Sequence, residues 1–321
     1  MTTYKEPHII VLMTAYNGME WIGKQVQSIL EQSLVTVHLY ISVDISTDGT
    51  YEWCKEIDGE NAQVTVLPYG EKYGGAAPNF FRLMRDVDFS DADFVCFADQ
   101  DDIWLNDKLS RAVDKIQTMK VQAYSSDVLA FWPSGKQQLI EKSQMQRKWD
   151  YLFEAAGPGC TYVFTNHLAL SLQSFCKAHK DKLKNVILHD WFSYAYARAN
   201  GYKWYIDDYV GLYYRQHIGN QVGANNGLAA FIYRFKAISS GEGIQQSILL
   251  AKCLKLEEVP FVKIWVSFRR WGFLRLAFRS YECRRKSTEQ FLFFFACIVM
   301  AIVGAKLKNH SEAELFYQKQ E

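Results

Sequence analysis

Carboxylates follow hydrophobic segments in the first third of the chain, where their types and spacing could support binding chemistry. The clearest case is the segment "ADQDDIW", in which Asp99, Asp101 and Asp102 place three carboxylates within four positions. Such acids repel one another unless they are solvated, cap a helix or face a positive charge. Two further polar segments, "TAYNG" at 14–18 and "VDISTDGT" at 43–50, also end hydrophobic runs. The three segments could form one site if the fold brings them together.

The elements that precede these segments predict a parallel sheet. Residues 94–98, "FVCFA", are typical of a strand covered on both faces. Strand-like segments at 9–13, 35–44 and 63–68 alternate with helix-like segments, which is the pattern of βαβ units. Since the carboxyl ends of parallel strands lie at one edge of a sheet, the three polar segments are expected to line one crevice.

The chain beyond residue 119 predicts a mixed continuation of the same sheet. Residues 123–131 and 159–165 resemble strands, and 189–199 is typical of a helix whose first turn carries an acid. Two strands rich in Tyr and Trp follow, at "YKWYID" and "YVGLYYRQH". We therefore predict one α/β domain, a mostly parallel sheet flanked by helices, over residues 1–225.

Composition excludes several classes of protein. The 321 residues are 49% hydrophobic, which excludes a mostly disordered chain, and the net charge of +1 argues against a nucleic-acid coat. The seven cysteines are scattered without a CxxC pair, so neither a disulfide framework nor a zinc site is indicated. The N-terminus has no typical secretory signal. We expect a cytoplasmic protein that binds no nucleic acid.

The predicted C-terminal region, residues 226–321, differs in character. Aromatic residues alternate with eight bases between 261 and 286: Lys263, Arg269, Arg270, Arg275, Arg279, Arg284, Arg285 and Lys286. Residues 291–305 then carry no charge, but a helix of this length spans about 22 Å, less than the roughly 30 Å of a bilayer core. An ordinary buried helix beside a solvated basic face is one interpretation. We favour a helical region that lies peripherally on the inner face of the plasma membrane.

In combination, the polar segments resemble those of the family-2 glycosyltransferases, across residues 8–222. The resemblance is carried by "TAYNG", "VDISTDGT", "ADQDDIW" and the later "HDW" and "RQHIGNQVGAN". It implies the GT-A nucleotide-diphospho-sugar transferase fold. The pairing of "DQDDIW" with "RQH" looks most like the bacterial rhamnosyltransferase-like branch, which builds O-antigen or capsular polysaccharide.

The resemblance also implies which residues bind the nucleotide-sugar donor. Thr14, Tyr16 and Asp44 match positions that hold the base and ribose, and Asp99 matches one that reaches the ribose or a metal-bound water. Asn79 is retained in the segment "EKYGGAAPNF", although Pro78 stands where the family commonly has an Arg. Rhamnose from a dTDP donor is the first expectation, and a UDP-hexose is the next.

The remaining implied roles are metal binding and catalysis. Asp101 would bind Mn²⁺ or Mg²⁺, which prefer oxygen ligands, and His217 could complete the metal or diphosphate site. Asp102 is expected instead to cap the next helix. Asp190 would be the general base of an inverting transfer, in which an acceptor hydroxyl displaces the nucleoside diphosphate. A structural role remains open for His217 and, as a helix cap, for Asp190.

Processive members of the family carry a Q-x-x-R-W motif and several transmembrane helices, and neither is found here. We therefore expect transfer of one sugar per encounter to a glycan or lipid-linked glycan acceptor. A nucleotidyltransferase is a competing interpretation, but "TAYNGMEW" lacks its Gly-rich segment. A catalytically silent, membrane-associated scaffold that binds nucleotide sugars or glycans is the alternative from a different class.

Overall fold

The computed structural model describes residues 5–217, 242–267 and 269–304. The chain divides into two compact units. The first comprises the residues up to Ser143 together with Ala156–Arg215, and the second comprises Gln144–Ala155 together with the residues from Gln216 onwards. The predicted boundary between residues 225 and 226 lies outside the described residues.

The first unit is built on a mixed sheet of nine strands among the described residues. The strands are β1 (His8–Ala15), β2 (Thr36–Val43), β3 (Val64–Val66), β4 (Phe94–Ala98), β5 (Ile103–Trp104), β6 (Ala123–Phe131), β7 (Gln137–Ile140), β8 (Val163–Thr165) and β9 (Trp204–Arg215). Their order is β3-β2-β1-β4-β8-β6-β9-β5, and β7 pairs with β6.

Seven α-helices in the described part of the chain belong to the same unit. They are α1 (Ile22–Leu30), α2 (Thr50–Glu60), α3 (Ala76–Asp86), α4 (Lys108–Thr118), α5 (Asn166–Ala178), α6 (Lys180–Leu183) and α7 (His189–Ala199), with a 3₁₀ turn at Gly159–Thr161. The predicted fold, a largely parallel sheet that becomes mixed and is flanked by helices, is confirmed.

The order of the strands explains why the polar segments meet. Strand β1 pairs in parallel with β2 on one side and with β4 on the other, so the three carboxyl ends lie side by side. All five residues of β4 are buried, as the sequence predicts. Apolar burial on both faces at about 25 cal/mol per Å² holds this central strand in place. The rigid core therefore fixes the turn that carries the three acids.

Two details differ from the sequence-based expectations. The two predicted strands after residue 201 form a single strand, β9, which pairs in parallel with β6 through register shifts near Ser126 and Asp127. The acidic turn also leads into the short strand β5 and not directly into a helix, and β5 pairs antiparallel with β9. This pairing brings Arg215, at the end of β9, to the acidic turn.

The second unit is helical. Its helices within the described ranges are α8 (Glu242–Cys253), α9 (Pro260–Val266), α10 (Arg270–Ala277), α11 (Ser280–Cys283) and α12 (Ser287–Val303), and a 3₁₀ turn lies at Asp150–Leu152. The buried Arg285 guanidinium holds the segment Gln144–Ala155, since it lies 3.3 Å from both Asp150 and Glu154. Within the described ranges, no helix is both long and apolar enough to cross a membrane.

Candidate active site

Hydrogen bonds join the segments at the ends of β1, β2 and β4 at one edge of the sheet. The Gln100 side chain accepts from the Tyr16 amide and donates to the Tyr16 carbonyl, each at 2.8 Å. The Asn17 amide donates to the Ser46 hydroxyl at 3.0 Å, and the Asn17 side chain accepts from the Thr47 amide at 2.9 Å. The three segments selected from the sequence therefore line one edge of the sheet.

The end of β1 carries one buried and one exposed side chain at this edge. Thr14 is almost fully buried and lies opposite Ser42 of β2. Tyr16 is 51% exposed, so its ring is accessible to a ligand. An aromatic ring on a rigid strand end can stack on a planar base. This placement suits the predicted binding of base and ribose, which stays a prediction for both residues.

Asp44 anchors the loop that follows β3. Its carboxylate accepts from the backbone amides of Ile45 at 2.8 Å, Tyr73 at 2.9 Å and Gly74 at 2.8 Å. A carboxylate has about four acceptor sites, so these bonds leave little capacity for a donor on a base. The structure thus gives Asp44 a loop-positioning contact that sequence reasoning missed. Its predicted contact with the base is untested.

Asn79 is buried at the start of α3 and bonds to β2. Its amide donates to the Ser42 carbonyl at 3.0 Å and accepts from the Ser42 hydroxyl. Arg82, one turn further along α3, donates to the same hydroxyl at 2.8 Å and to the Pro68 carbonyl at 2.5 Å. Arg82 therefore supplies a buried guanidinium close to Pro78, the position at which the family commonly has an Arg. Its N–H groups, however, donate to Ser42 and Pro68 of the protein itself.

The acidic turn forms a compact cluster with a distant cysteine. One carboxylate oxygen each of Asp99 and Asp102 and the Cys160 sulfur lie within 4.8 Å of one another. Among the described residues this is the one such group of potential metal ligands, and neither Asp101 nor His217 is a member of it. The predicted metal-binding roles of Asp101 and His217 therefore remain predictions. Cys160, which cysteine spacing did not single out, comes from the Gly159–Thr161 turn.

The electrostatics of the cluster favour a bound cation. Burial raises the pKa of Asp99, and the neighbouring carboxylates of Asp101 and Asp190 raise it further. Burial also raises the pKa of Asp102 well above its ordinary value, together with the charges of Asp101 and Asp99. Asp102 Oδ2 is buried and has no hydrogen-bond partner among the described residues. The carboxylate oxygens fit a hard divalent ion, whereas the protonated, soft Cys160 thiol does not.

Asp102 does not cap a helix, so that expectation was wrong. Helix α4 begins at Lys108, preceded by Asp107, and the chain between Asp102 and Lys108 includes β5. Asp102 Oδ1 instead accepts from the Arg215 amide at 3.2 Å, and the Arg215 guanidinium donates to the Asp101 carbonyl at 2.8 Å. Strand pairing with β9 supplies this partner, which no local rule could identify.

A buried lysine lies below the acids. The Lys108 ammonium is 3.5 Å from the Trp104 ring centroid and has no hydrogen-bond partner within the described part of the chain. Burial lowers its pKa, although the nearby Cys96, Cys160 and Asp102 oppose that change. Its charge partly compensates the carboxylates. Trp104 and Trp204 are buried and Trp53 packs against the core, so these tryptophans have packing roles.

Asp190 lies at the start of α7 and faces the cluster. One carboxylate oxygen accepts from the Trp191 amide at 2.6 Å. Burial raises the pKa of Asp190 to about 6, although the amides of Trp191 and Gly159 and the charge of Lys142 lower it. A β-carbon on Gly159 would lie 3.2 Å from the Asp190 β-carbon, so Asp190 lies beside the turn that carries Cys160 to the cluster, and its charge raises the pKa of Asp99. Such a carboxylate is suited to accept a proton near neutral pH.

His189 fixes the position of this helix start. Its ring stacks on Phe80 with 3.8 Å between centroids and meets Phe97 edge-on at 5.1 Å. Burial lowers the His189 pKa to about 3, so the ring is neutral. A β-carbon on Gly159 would lie 2.6 Å from His189 Nε2 and 3.2 Å from the Asp190 β-carbon. Only glycine therefore lets this turn approach α7 so closely.

Comparison with known proteins identifies the family. The family model described as glycosyl transferase family 2 matches residues 10–178. The chain is also 39% identical to dTDP-rhamnosyl transferase RfbG of Shigella flexneri over 279 residues, which cover 87% of this chain and 96% of that protein. The chain belongs to glycosyltransferase family 2. The family inferred from the motifs, with its rhamnosyltransferase-like character, is thereby confirmed.

Solved structures agree with this fold for the glycosyltransferase. The structure of S. aureus TarS 1–349 aligns with a TM-score of 0.55 at 13% identity, over 92% of this chain and 81% of that chain. Mannosyltransferase PcManGT from Pyrobaculum calidifontis, solved in complex with GDP-Man and Mn²⁺, aligns with a TM-score of 0.52 at 17% identity, over 99% of this chain and 80% of that chain. At these identities the likeness concerns the fold alone.

Four residues near the glycosyltransferase's acidic cluster were not selected from the sequence: Cys160, Lys108, Arg215 and Tyr214. Burial raises the pKa of Tyr214 well above its ordinary value, and the charges of Asp99, Asp102 and Asp101 contribute. The one sequence feature that pointed to any of them was the motif "RQH", which begins with Arg215. Cys160 and Tyr214 are brought near the acids by strand pairing in the second half of the sheet, and Lys108 lies at the start of α4, which follows the acidic turn and β5.

Proposed function

We propose that this glycosyltransferase is an inverting, non-processive enzyme that transfers one rhamnose from dTDP-rhamnose to a glycan or lipid-linked glycan. The product would belong to a bacterial surface polysaccharide, either O-antigen or capsule. The similarity to RfbG, described as a dTDP-rhamnosyl transferase and matched over 96% of its length, supports the donor. A UDP-hexose is the alternative donor, and the named relative favours rhamnose.

The observation that carries the mechanism is the position of Asp190 beside the acidic cluster at the carboxyl ends of the strands. The cluster marks where the diphosphate would bind, and the nearby Asp190 has a pKa raised to about 6. The acceptor hydroxyl would attack the anomeric carbon while its proton passes to Asp190. The bond between that carbon and the diphosphate oxygen breaks, and the nucleoside diphosphate leaves with the electron pair. A single displacement inverts the anomeric configuration.

Asp99, Asp102 and the adjacent Asp101 would hold Mn²⁺ or Mg²⁺. When bound, the ion would neutralise charge that develops on the departing diphosphate. The support is the set of oxygen donors and the orphaned Asp102 Oδ2. Gln100 positions this turn against Tyr16, so the donor base and diphosphate would be held by one connected segment. His217 is kept as a further proposed contact to the ion or diphosphate.

Turnover of a donor panel tests this proposal. The full chain would be assayed with dTDP-rhamnose, UDP-glucose and UDP-galactose, with Mn²⁺ or a chelator, and release of nucleoside diphosphate would be measured. We expect dTDP release that requires the divalent ion. Asp190→Asn should abolish it and preserve nucleotide binding, whereas the matched change Asp181→Asn, at an exposed position on α6, should alter neither.

Three results would count against the proposal. Preference for a UDP-hexose would overturn the donor, and full activity in chelator would overturn the metal role. Absence of both transfer and hydrolysis with every nucleotide sugar, in a protein that still binds them, would favour the catalytically silent scaffold.

A further inference from the structure

Helix α12 is apolar on two opposite faces, and only one of them packs against described residues of the second unit. The inward face consists of buried residues: Leu292, Phe293, Ala296, Cys297 and Met300. The opposite face is open, with Phe291 62% and Ile302 70% exposed. A helix that is hydrophobic all round is normally buried on all sides. The outward face is therefore expected to meet an apolar surrounding.

Four aromatic rings, three of them exposed, contact one another in a row. Phe278, at the end of α10, contacts Phe294 with ring centroids 5.8 Å apart, and Phe294 contacts Phe295 at 5.2 Å. Phe295 in turn contacts Phe291 at 4.5 Å. Trp271 on α10 is 76% exposed. We call Trp271, Phe278, Phe291, Phe294, Phe295, Ile302 and Val303 the outer face. An exposed apolar surface of this kind marks an interaction site.

Side chains of the basic and aromatic stretch divide between the interior and this face. Phe261, Trp265 and Phe273 are buried, so these aromatic residues belong to the core of the second unit. Four of the bases are held in ion pairs: Lys263 with Glu258, Arg279 with Glu282, Arg284 with Glu289, and Arg285 with Asp150 and Glu154. Only part of the stretch identified in the sequence can therefore contact a partner.

The charge that remains around the outer face is positive. Arg269, Arg270, Arg275 and Lys286 are exposed and have no ion pair within the described residues. The only acids between 269 and 304 are Glu282 and Glu289, and each is already paired. The Arg270 guanidinium lies about 3.5 Å from the β-carbon position of Gly304, next to the exposed end of α12. Exposed cations therefore adjoin the apolar patch.

We propose that the outer face is seated in the headgroup region of an anionic bilayer. Aromatic and aliphatic side chains would enter the acyl boundary to a depth of about 5–10 Å, and the four cations would contact lipid phosphates. Since the opposite face of α12 is buried within the protein, the contact would be interfacial. In a two-fold contact with a second copy, the same cations would face one another, which the charge distribution disfavours.

Co-sedimentation of the full chain with vesicles tests this assignment. One vesicle preparation would be phosphatidylcholine alone, and the other would contain about one third phosphatidylglycerol, to supply the anionic charge. We expect binding to the anionic vesicles that weakens with salt. Phe291→Ser combined with Phe295→Ser should lower the partition coefficient at least tenfold. Met119→Ser combined with Leu139→Ser removes two apolar residues that are also exposed, outside the second unit, and should leave partitioning unchanged.

Charge variants distinguish the contribution of the exposed cations from that of the apolar side chains of the outer face. Arg270→Gln combined with Arg275→Gln should weaken partitioning by about fivefold for each lost cation. The control, Lys177→Gln with Lys180→Gln, removes two exposed bases near the end of α5 and should have no effect.

Equal binding to neutral and anionic vesicles, or unchanged partitioning of both outer-face variants, would overturn the proposal. A dimer in lipid-free solution that these variants dissociate would assign the face to a second copy. Partitioning to vesicles does not require turnover, so failure of the proposed sugar transfer would not affect this result.

Discussion

Replacement of Gly159 by alanine tests whether the packing at the start of α7 sets the reaction geometry. The new β-carbon would lie 2.6 Å from His189 Nε2, whereas carbon contacts are optimal at about 3.5–4.0 Å. Gly159 has no positive φ, so backbone strain does not enter. The His189 ring is held between Phe80 and Phe97 and cannot swing away without loss of core packing. The turn and the helix start must therefore separate by about 1 Å.

A displacement of about 1 Å is large on the scale of catalysis. Misplacement of this size can cost about 100-fold in rate, and forced overpacking costs about 1–3 kcal/mol of stability. Since the donor-binding segments lie on other strands, we expect kcat to fall by about two orders of magnitude while the KM for the donor changes little. Steady-state turnover and thermal unfolding with and without nucleotide would measure the two effects.

Gly59→Ala is the matched control for this experiment. Gly59 lies in α2, and a β-carbon there would meet nothing within 4 Å. The change should stabilise the protein by about 0.5–1 kcal/mol and leave turnover unchanged. If Gly159→Ala kept the wild-type kcat, the close approach of this turn to Asp190 would have no catalytic consequence, and our reasoning would be refuted.

Three further predictions concern the base, the cluster and the second unit. Because Asp190 accepts a proton only when ionised and its pKa is raised to about 6, kcat/KM should fall about tenfold per pH unit below that value; a pH profile that stays flat down to pH about 4 would contradict this. Mn²⁺ with dTDP should raise the unfolding temperature of the wild type, and Asp102→Asn should abolish that increase. The control Asp208→Asn, at an exposed position, should keep the increase. An unchanged increase in Asp102→Asn would show that this carboxylate does not bind the metal. Arg285→Met should lower the free energy of unfolding by about 3–5 kcal/mol, because the buried carboxylates of Asp150 and Glu154 lose their cation. The control Lys263→Met breaks an exposed ion pair and should lower it by less than about 1 kcal/mol. Denaturant titrations would measure both effects.

The sequence alone specified the strands that place the site. The run 94–98 is apolar at every position, and that composition is sufficient to predict the buried strand β4. The alternation of strand-like with helix-like segments predicted a parallel sheet, and parallel pairing places the ends of β1, β2 and β4 at one edge. The family followed from motifs at those ends. All of these inferences depend on local periodicity or on a general rule of α/β topology.

The tertiary structure decided what surrounds each acid. Asp102 was expected to cap a helix because local rules consider only the following turn, yet its partner Arg215 lies 113 residues away and arrives through β9. Cys160 reaches the cluster on a turn that precedes β8. The Asp44 carboxylate accepts hydrogen bonds from the amides of Tyr73 and Gly74, a contact that the sequence around Asp44 does not predict. The C-terminal bases likewise divided into internal ion pairs and exposed cations only after the helices packed. Local composition can indicate which groups are present, but desolvation and hydrogen bonding depend on distant segments, and only the packed chain brings these together.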